Sequence, residues 1–143
     1  MKTIYGVVLA VLLGSCSPFG LNPMGYEVLH EDLDVAWKKV SAMKYIAEPD
    51  GVNYYKSPKE FFNDEGGDCE DFAVALMYLL GDNTELIIIQ LPSSLHALIR
   101  YKNQYLEPQI YNRFRSNDTF VISSVYEYNT VMQCCTEYGT RHL

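Results

Sequence analysis

The chain has 143 residues, 48% of them hydrophobic and 20% charged, the balance of a globular domain rather than of a disordered segment. Its 18 acidic residues outnumber 11 basic ones, for a formal charge of −7, which excludes a protein that tracks nucleic-acid phosphates, since that work needs clustered positive charge. Four cysteines are too few for a disulfide-built scaffold, so a hydrophobic core has to hold the fold.

Lys2 precedes the apolar run Ile4 to Leu13, and Leu13-Gly14-Ser15-Cys16 follows. A positive charge, a short apolar run and small residues before a break are the marks of a secretory signal. The run is too short to span a bilayer, which takes about 20 apolar residues. Leu-Gly-Ser-Cys resembles the lipobox of bacterial lipoproteins, whose cysteine is acylated after cleavage. That resemblance implies a signal peptide over 1–15, a lipid anchor on Cys16 and an extracytoplasmic place in the cell envelope. Ser17 resembles the residue found in lipoproteins sorted to the periplasmic face of an outer membrane. An ordinary signal peptide with an incidental Cys16 is the alternative. Residues 16–25 hold Pro18, Gly20, Pro23 and Gly25 and read as a tether, leaving 26–143 as a single domain.

Leu33, Ala36, Trp37, Val40 and Met43 recur at steps of three and four, predicting an amphipathic helix from Glu31 to Tyr45. Glu48-Pro49-Asp50-Gly51 ends it. Ser57-Pro58-Lys59-Glu60 is a capping box with proline at the first helical position, so a short helix starts there. Asp68, with Asp71 three residues on, starts another that runs to about Leu80 before Gly81. The second half changes to strands: the apolar run Leu86 to Leu91, then Leu95 to Tyr101 and Gln104 to Pro108 joined at Lys102-Asn103, then Thr119 to Val125. Helices first and strands afterwards predict an α+β domain with an antiparallel sheet.

The densest chemical signal is Gly66-Gly67-Asp68-Cys69-Glu70-Asp71-Phe72-Ala73. With Asp68 as N-cap, Cys69 falls in the first helical turn, where unpaired N–H groups and the helix dipole favour a thiolate. The two glycines let a substrate backbone approach the sulfur. Phe72, Ala73, Leu76 and Leu80 share the face of Cys69, which puts the thiol at the head of the stripe that packs on the sheet. The carboxylates Asp64, Glu65, Asp68, Glu70 and Asp71 oppose ionisation, each by about 0.6 kcal/mol if exposed at ~7 Å, whereas a histidinium at ~4 Å and effective dielectric ~20 favours it by about 4 kcal/mol. A reactive Cys69 therefore requires a histidine, and without one it is a buried structural cysteine.

His142 and His30 lie near the chain end and ahead of the first helix, so His96, within a strand, is the candidate. A two-residue turn at Lys102-Asn103 pairs Tyr101 with Gln104. In that register His96 faces Gln109, Leu98 faces Glu107, and Glu107 becomes a same-face diagonal neighbour of His96. A three-residue turn would send Glu107 to the other face. Cysteine, histidine and carboxylate then form a nucleophile, base and orienting acid.

Gly-Asp-Cys-Glu-Asp-Phe-Ala at 67–73, His-Ala at 96–97 and Tyr-Leu-Glu-Pro at 105–108 resemble the transglutaminase-like superfamily, particularly its bacterial cysteine-peptidase branch, and Tyr54-Tyr55-Lys56-Ser57-Pro58-Lys59-Glu60 resembles the segment before its cysteine. The resemblance covers about residues 33–109. It implies a papain-like core in which a helix carries the nucleophile Cys69 and an antiparallel sheet carries the base His96 and the orienting Glu107, where the family usually has aspartate. It further implies a peptide or protein substrate, a thioester intermediate and no cofactor. The Cys69 backbone N–H and a side chain from Tyr54, Tyr55 or Asn63 would supply the oxyanion donors. A non-catalytic module that binds a peptide or protein on the same fold is the alternative.

Cys134-Cys135 reads as a structural pair rather than a vicinal disulfide or metal ligand, since no second Cys/His pair stands at ligand spacing. The acidic cluster at 64–71 lacks the pattern of an EF-hand loop and reads as helix caps, so no metal site is expected. Tyr101, Tyr105 and Tyr111 read as strand formers that could also line a peptide groove.

Overall fold

The computed structural model describes residues 28–109, 114–115 and 120–137. The signal peptide 1–15, Cys16 and the tether 16–25 lie outside the described residues, as does Tyr111. Asp32 caps α1 (Leu33–Ser41), accepting from the backbone N–H groups of Asp34 and Val35 at 2.9 and 3.4 Å, and Lys38 and Lys39 occupy the last turn, where the dipole favours cations. Ala36, Trp37 and Val40 form its buried face. The helix is shorter than its periodicity predicts. The chain leaves it to form β1 (Lys44–Tyr45), parallel to β2 (Gly66–Gly67), with Lys44 N–H donating to Glu65 O at 2.9 Å and Ile46 N–H to Gly67 O at 2.8 Å. Two residues carry no readable period, so this pair has no sequence signal.

The capping box at Ser57 opens α2 (Pro58–Asn63), whose buried Phe61 meets Phe72 edge-to-face at 5.0 Å. The box formed by Asp68 and Asp71 opens α3 (Cys69–Leu80), which stops at Gly81 in a positive-φ conformation (+87°). The sequence predicts a single buried stripe on α3. Instead Asp71 through Met77, Leu79 and Leu80 are all buried, so α3 is a central helix covered on nearly every side.

The sheet has the order β6-β5-β4-β3-β7, every neighbour antiparallel: β3 (Thr84–Gln90), β4 (Leu95–Tyr101), β5 (Gln104–Leu106), β6 (Phe114–Arg115) and β7 (Val121–Glu127). The sequence predicts β4 to the residue, places β3 and β7 about two residues off, extends β5 too far and misses β6. Alternation along β3 sorts its apolar run between two faces. Leu86 and Ile88 join Ala97, Ile99 and Leu106 in the core under α3, while Ile87 and Ile89 pack with Leu98 on the opposite face, flanked by Tyr105 and Phe120. Each such buried Leu or Ile contributes about 1.5–3 kcal/mol. After β7 the chain turns into α4 (Tyr128–Met132) and a π-helical turn (Gln133–Glu137), neither of which the sequence pattern predicts; Tyr128, Val131, Met132 and Cys135 close the core. Cys134 and Cys135 are free thiols, not a vicinal disulfide. Among the described residues, no helix is long and apolar enough to cross a membrane.

Candidate active site

The site starts from a turn. Lys102 and Asn103 both have positive φ, 48° and 63°, as a two-residue type I′ hairpin requires. They set the rungs Tyr101↔Gln104, Arg100↔Tyr105 and Ile99↔Leu106. Continued past the last rung, this register brings Glu107 to the diagonal of His96, and the His96 Nε2–H donates to Glu107 Oε1. Glu107 is 1% exposed, so its carboxylate holds the ring from a dry position. Nε2 is occupied by this bond, which leaves Nδ1 as the ring nitrogen able to accept a proton from elsewhere.

Cys69 is the first residue of α3 and lines a cleft of about 480 Å³ together with Tyr45, Ser94, Leu95, His96 and Gln109. The cleft opens where β4 begins. The thiol donates to Glu70 Oε2 at 2.9 Å. Burial first, then the Glu70 charge and this hydrogen bond, push the thiol well above its ordinary value, while the Ala97 backbone N–H, one residue from His96, acts in the opposite direction. At rest the sulfur is therefore protonated, and the helix N-terminus does not by itself make it a thiolate. From the sequence alone the surrounding carboxylates count as several weak, distant effects; in the structure Glu70 is in direct contact.

The other carboxylates build the ledge under the cysteine. Asp71 is 1% exposed and accepts from the backbone N–H of Lys56 at 2.7 Å and of Asp68 at 3.1 Å, tying the segment before α2 to the start of α3. Burial raises its carboxyl to about 6 against these two bonds. Asp68 is pushed up to about 8, by burial first and then by Glu70 and Asp71. Lys56 Nζ bonds Gly66 O at 2.9 Å and pairs with Asp64 at 2.9 Å. A Cβ on Gly67 would stand 2.2 Å from Asp71 Oδ2, so only glycine permits this clamp. Among the described residues, no group of three or more His, Cys, Asp and Glu is arranged to hold a metal ion.

The oxyanion candidates separate. The Tyr54 hydroxyl donates to Glu60 at 2.6 Å, and Asn63 is exposed at the end of α2; neither lines the cleft. Tyr55 is buried, and its phenol is raised by burial and then by Glu70, with Cys69 a smaller cause. Tyr45, which the helical period carries into the first helix, has no sequence signal as a site residue. It lines the cleft from β1, and its phenol is raised by burial, then by Cys69. Gln109 also lines the cleft, and the sequence marks it only as the residue facing His96 in the expected register.

No protein-family model and no curated protein matches the chain. Solved structures do. The EGTA-treated form of LapG from Legionella pneumophila superposes with a TM-score of 0.53 at 20% identity, over 69% of this chain and 66% of that one, just under two thirds of its length. The calcium-bound form gives 0.52 at 19% identity, over 80% of this chain and 74% of that one. A further LapG structure gives 0.52 at 17% identity, over 73% and 78%. With an antiparallel sheet, a cysteine-bearing central helix and this likeness, the chain has the transglutaminase-like, papain-like fold.

Proposed function

We propose that the protein is an extracytoplasmic cysteine hydrolase or acyltransferase acting on amide bonds of a peptide or protein, anchored to the membrane by acylated Cys16. The observation that carries this reading is the cleft shared by Cys69 and His96, with Glu107 bonded to the far side of the imidazole. In this mechanism the Cys69 proton leaves Glu70 for His96 Nδ1 as substrate enters, and the sulfur attacks the carbonyl carbon. The Cys69 backbone N–H, in the first turn of α3, donates to the tetrahedral oxyanion. The imidazolium, stabilised by Glu107, protonates the departing amine and leaves a thioester. Water then hydrolyses the thioester, or a second amine takes the acyl group. Cleavage is favoured over cross-linking because the fold shared with LapG is that of transglutaminase-like cysteine peptidases.

The test is replacement of Cys69 by alanine, assayed for amide cleavage and for iodoacetamide labelling, both with calcium and with EGTA, since LapG is known in both forms. Loss of cleavage, with labelling of the remaining thiols Cys134 and Cys135 unchanged, supports the reading; retained cleavage refutes it. A specific observation favours a second reading, a non-catalytic binding module: the thiol is held protonated against Glu70. The pH profile of alkylation separates the two. A binding module alkylates only in alkaline solution, whereas an activated pair reacts near neutrality.

A further inference from the structure

Buried donors in folded proteins nearly always have partners, so an exception calls for an explanation. Among the described residues, two buried side-chain polar atoms stand without one: Glu31 Oε2 and Gln109 Nε2. Glu31 is accounted for, since its other oxygen binds Lys39 at 2.6 Å on the surface of α1. Gln109 is not. It lies in the turn that follows β5, two residues beyond Glu107, and lines the cleft with Cys69 and His96. The rim beside it carries Tyr45 and Leu95, large apolar side chains that are 60% and 58% exposed. An unpaired amide donor, a nucleophile with its histidine, and two uncovered apolar side chains thus converge on one opening.

Resting on the peptidase reading above, we propose that Gln109 is the substrate-positioning residue of the cleft: its carboxamide N–H donates to a main-chain carbonyl oxygen of an extended peptide whose apolar side chains lie against Tyr45 and Leu95. The terminal torsion of glutamine is broad and soft, so the donor swings into the cleft as the peptide enters. The donor is not needed to ionise Cys69, and it binds substrate and transition state alike. Its removal raises KM and leaves kcat nearly unchanged.

The experiment compares the full chain with Gln109→Met, which keeps the shape and removes the donor, and with Gln109→Asn, which keeps a shorter amide. The probe is the peptide aldehyde N-acetyl-leucyl-leucyl-glycinal, read as protection of Cys69 from iodoacetamide. Gln109→Met is expected to alkylate at the wild-type rate without aldehyde, to melt no lower than wild type, and to need about tenfold or more aldehyde for protection. Gln109→Asn recovers part of that loss. Equal protection of wild type and Gln109→Met overturns the proposal, as does a melting temperature several degrees lower, which would reveal a structural partner. If Cys69 of the wild-type protein is neither alkylated near neutrality nor captured by the aldehyde, the nucleophile reading itself falls, and the role of Gln109 with it.

Discussion

Replacing Glu70 with glutamine removes one charge beside Cys69 and keeps the side chain's shape. The thiol touches Glu70 Oε2 at 2.9 Å, which puts a thiolate and the carboxylate charge centre about 4 Å apart. At an effective dielectric of ~20 the repulsion is about 4 kcal/mol. The cleft is open to water, and screening reduces this to about 2–3 kcal/mol, equivalent to roughly a hundredfold more thiolate at a given pH below the thiol's titration. A thiolate made easier to form is also a weaker nucleophile, by about tenfold for a change of that size. The net expectation is that iodoacetamide labels Cys69 about tenfold faster in Glu70→Gln at neutral pH. Peptide mapping by mass spectrometry measures it, with the free thiols Cys134 and Cys135 as internal references whose rates stay unchanged. An unchanged rate would show that Glu70 does not control ionisation. A slower one would show that Glu70 takes the proton productively, and the assignment of His96 as base would fall.

Three further outcomes follow from the same geometry. Glu107→Ala removes the buried partner of the His96 ring; unfolding in urea should show a loss of about 1–3 kcal/mol, and amide cleavage should drop by about 10²–10⁴-fold, with undiminished turnover arguing against an orienting role. Gly67→Ala drives a Cβ to 2.2 Å from Asp71 Oδ2 and should cost about 2 kcal/mol or more, seen as a lower melting temperature; wild-type stability would mean that the clamp under α3 can yield. The third concerns pH. Asp68 titrates near 8 in the folded chain against an ordinary value of 3.8, so the folded state holds this proton more tightly than the unfolded one. The contribution of Asp68 to stability is then fully present below about pH 4 and is lost as pH rises from about 4 to 8. Asp68→Asn keeps an N-cap oxygen and loses the titration, so urea unfolding across that interval should show a shallower decline than in wild type; identical slopes would remove Asp68 as the cause.

Much of this was legible locally. The Ser57 and Asp68 capping boxes, the stop at Gly81 and the turn at Lys102-Asn103 are short-range devices whose residue types dictate backbone geometry, and each appears where the sequence puts it. From that turn, period-two counting alone brought Glu107 within reach of His96. The lapses occur where a segment's partner is distant. β1 and β2 are two residues long and meet across 20 positions of sequence, and α3 is buried nearly all round because α1, α2, α4 and the sheet surround it, none of which its own pattern reveals.

The sequence by itself thus determined α1 to α3, the strands β3, β4, β5 and β7, the cysteine at a helix start and the hairpin register that pairs histidine with acid, because caps, turns and alternation act over a few bonds. Only the tertiary structure decided what surrounds the sulfur. Glu70 accepts a hydrogen bond from the thiol, Tyr45 arrives from a strand with no signal of its own, and Gln109 is left with an unpartnered amide. Electrostatics and hydrogen bonding depend on distances of a few ångströms and on desolvation, and those quantities exist only once distant segments have packed together.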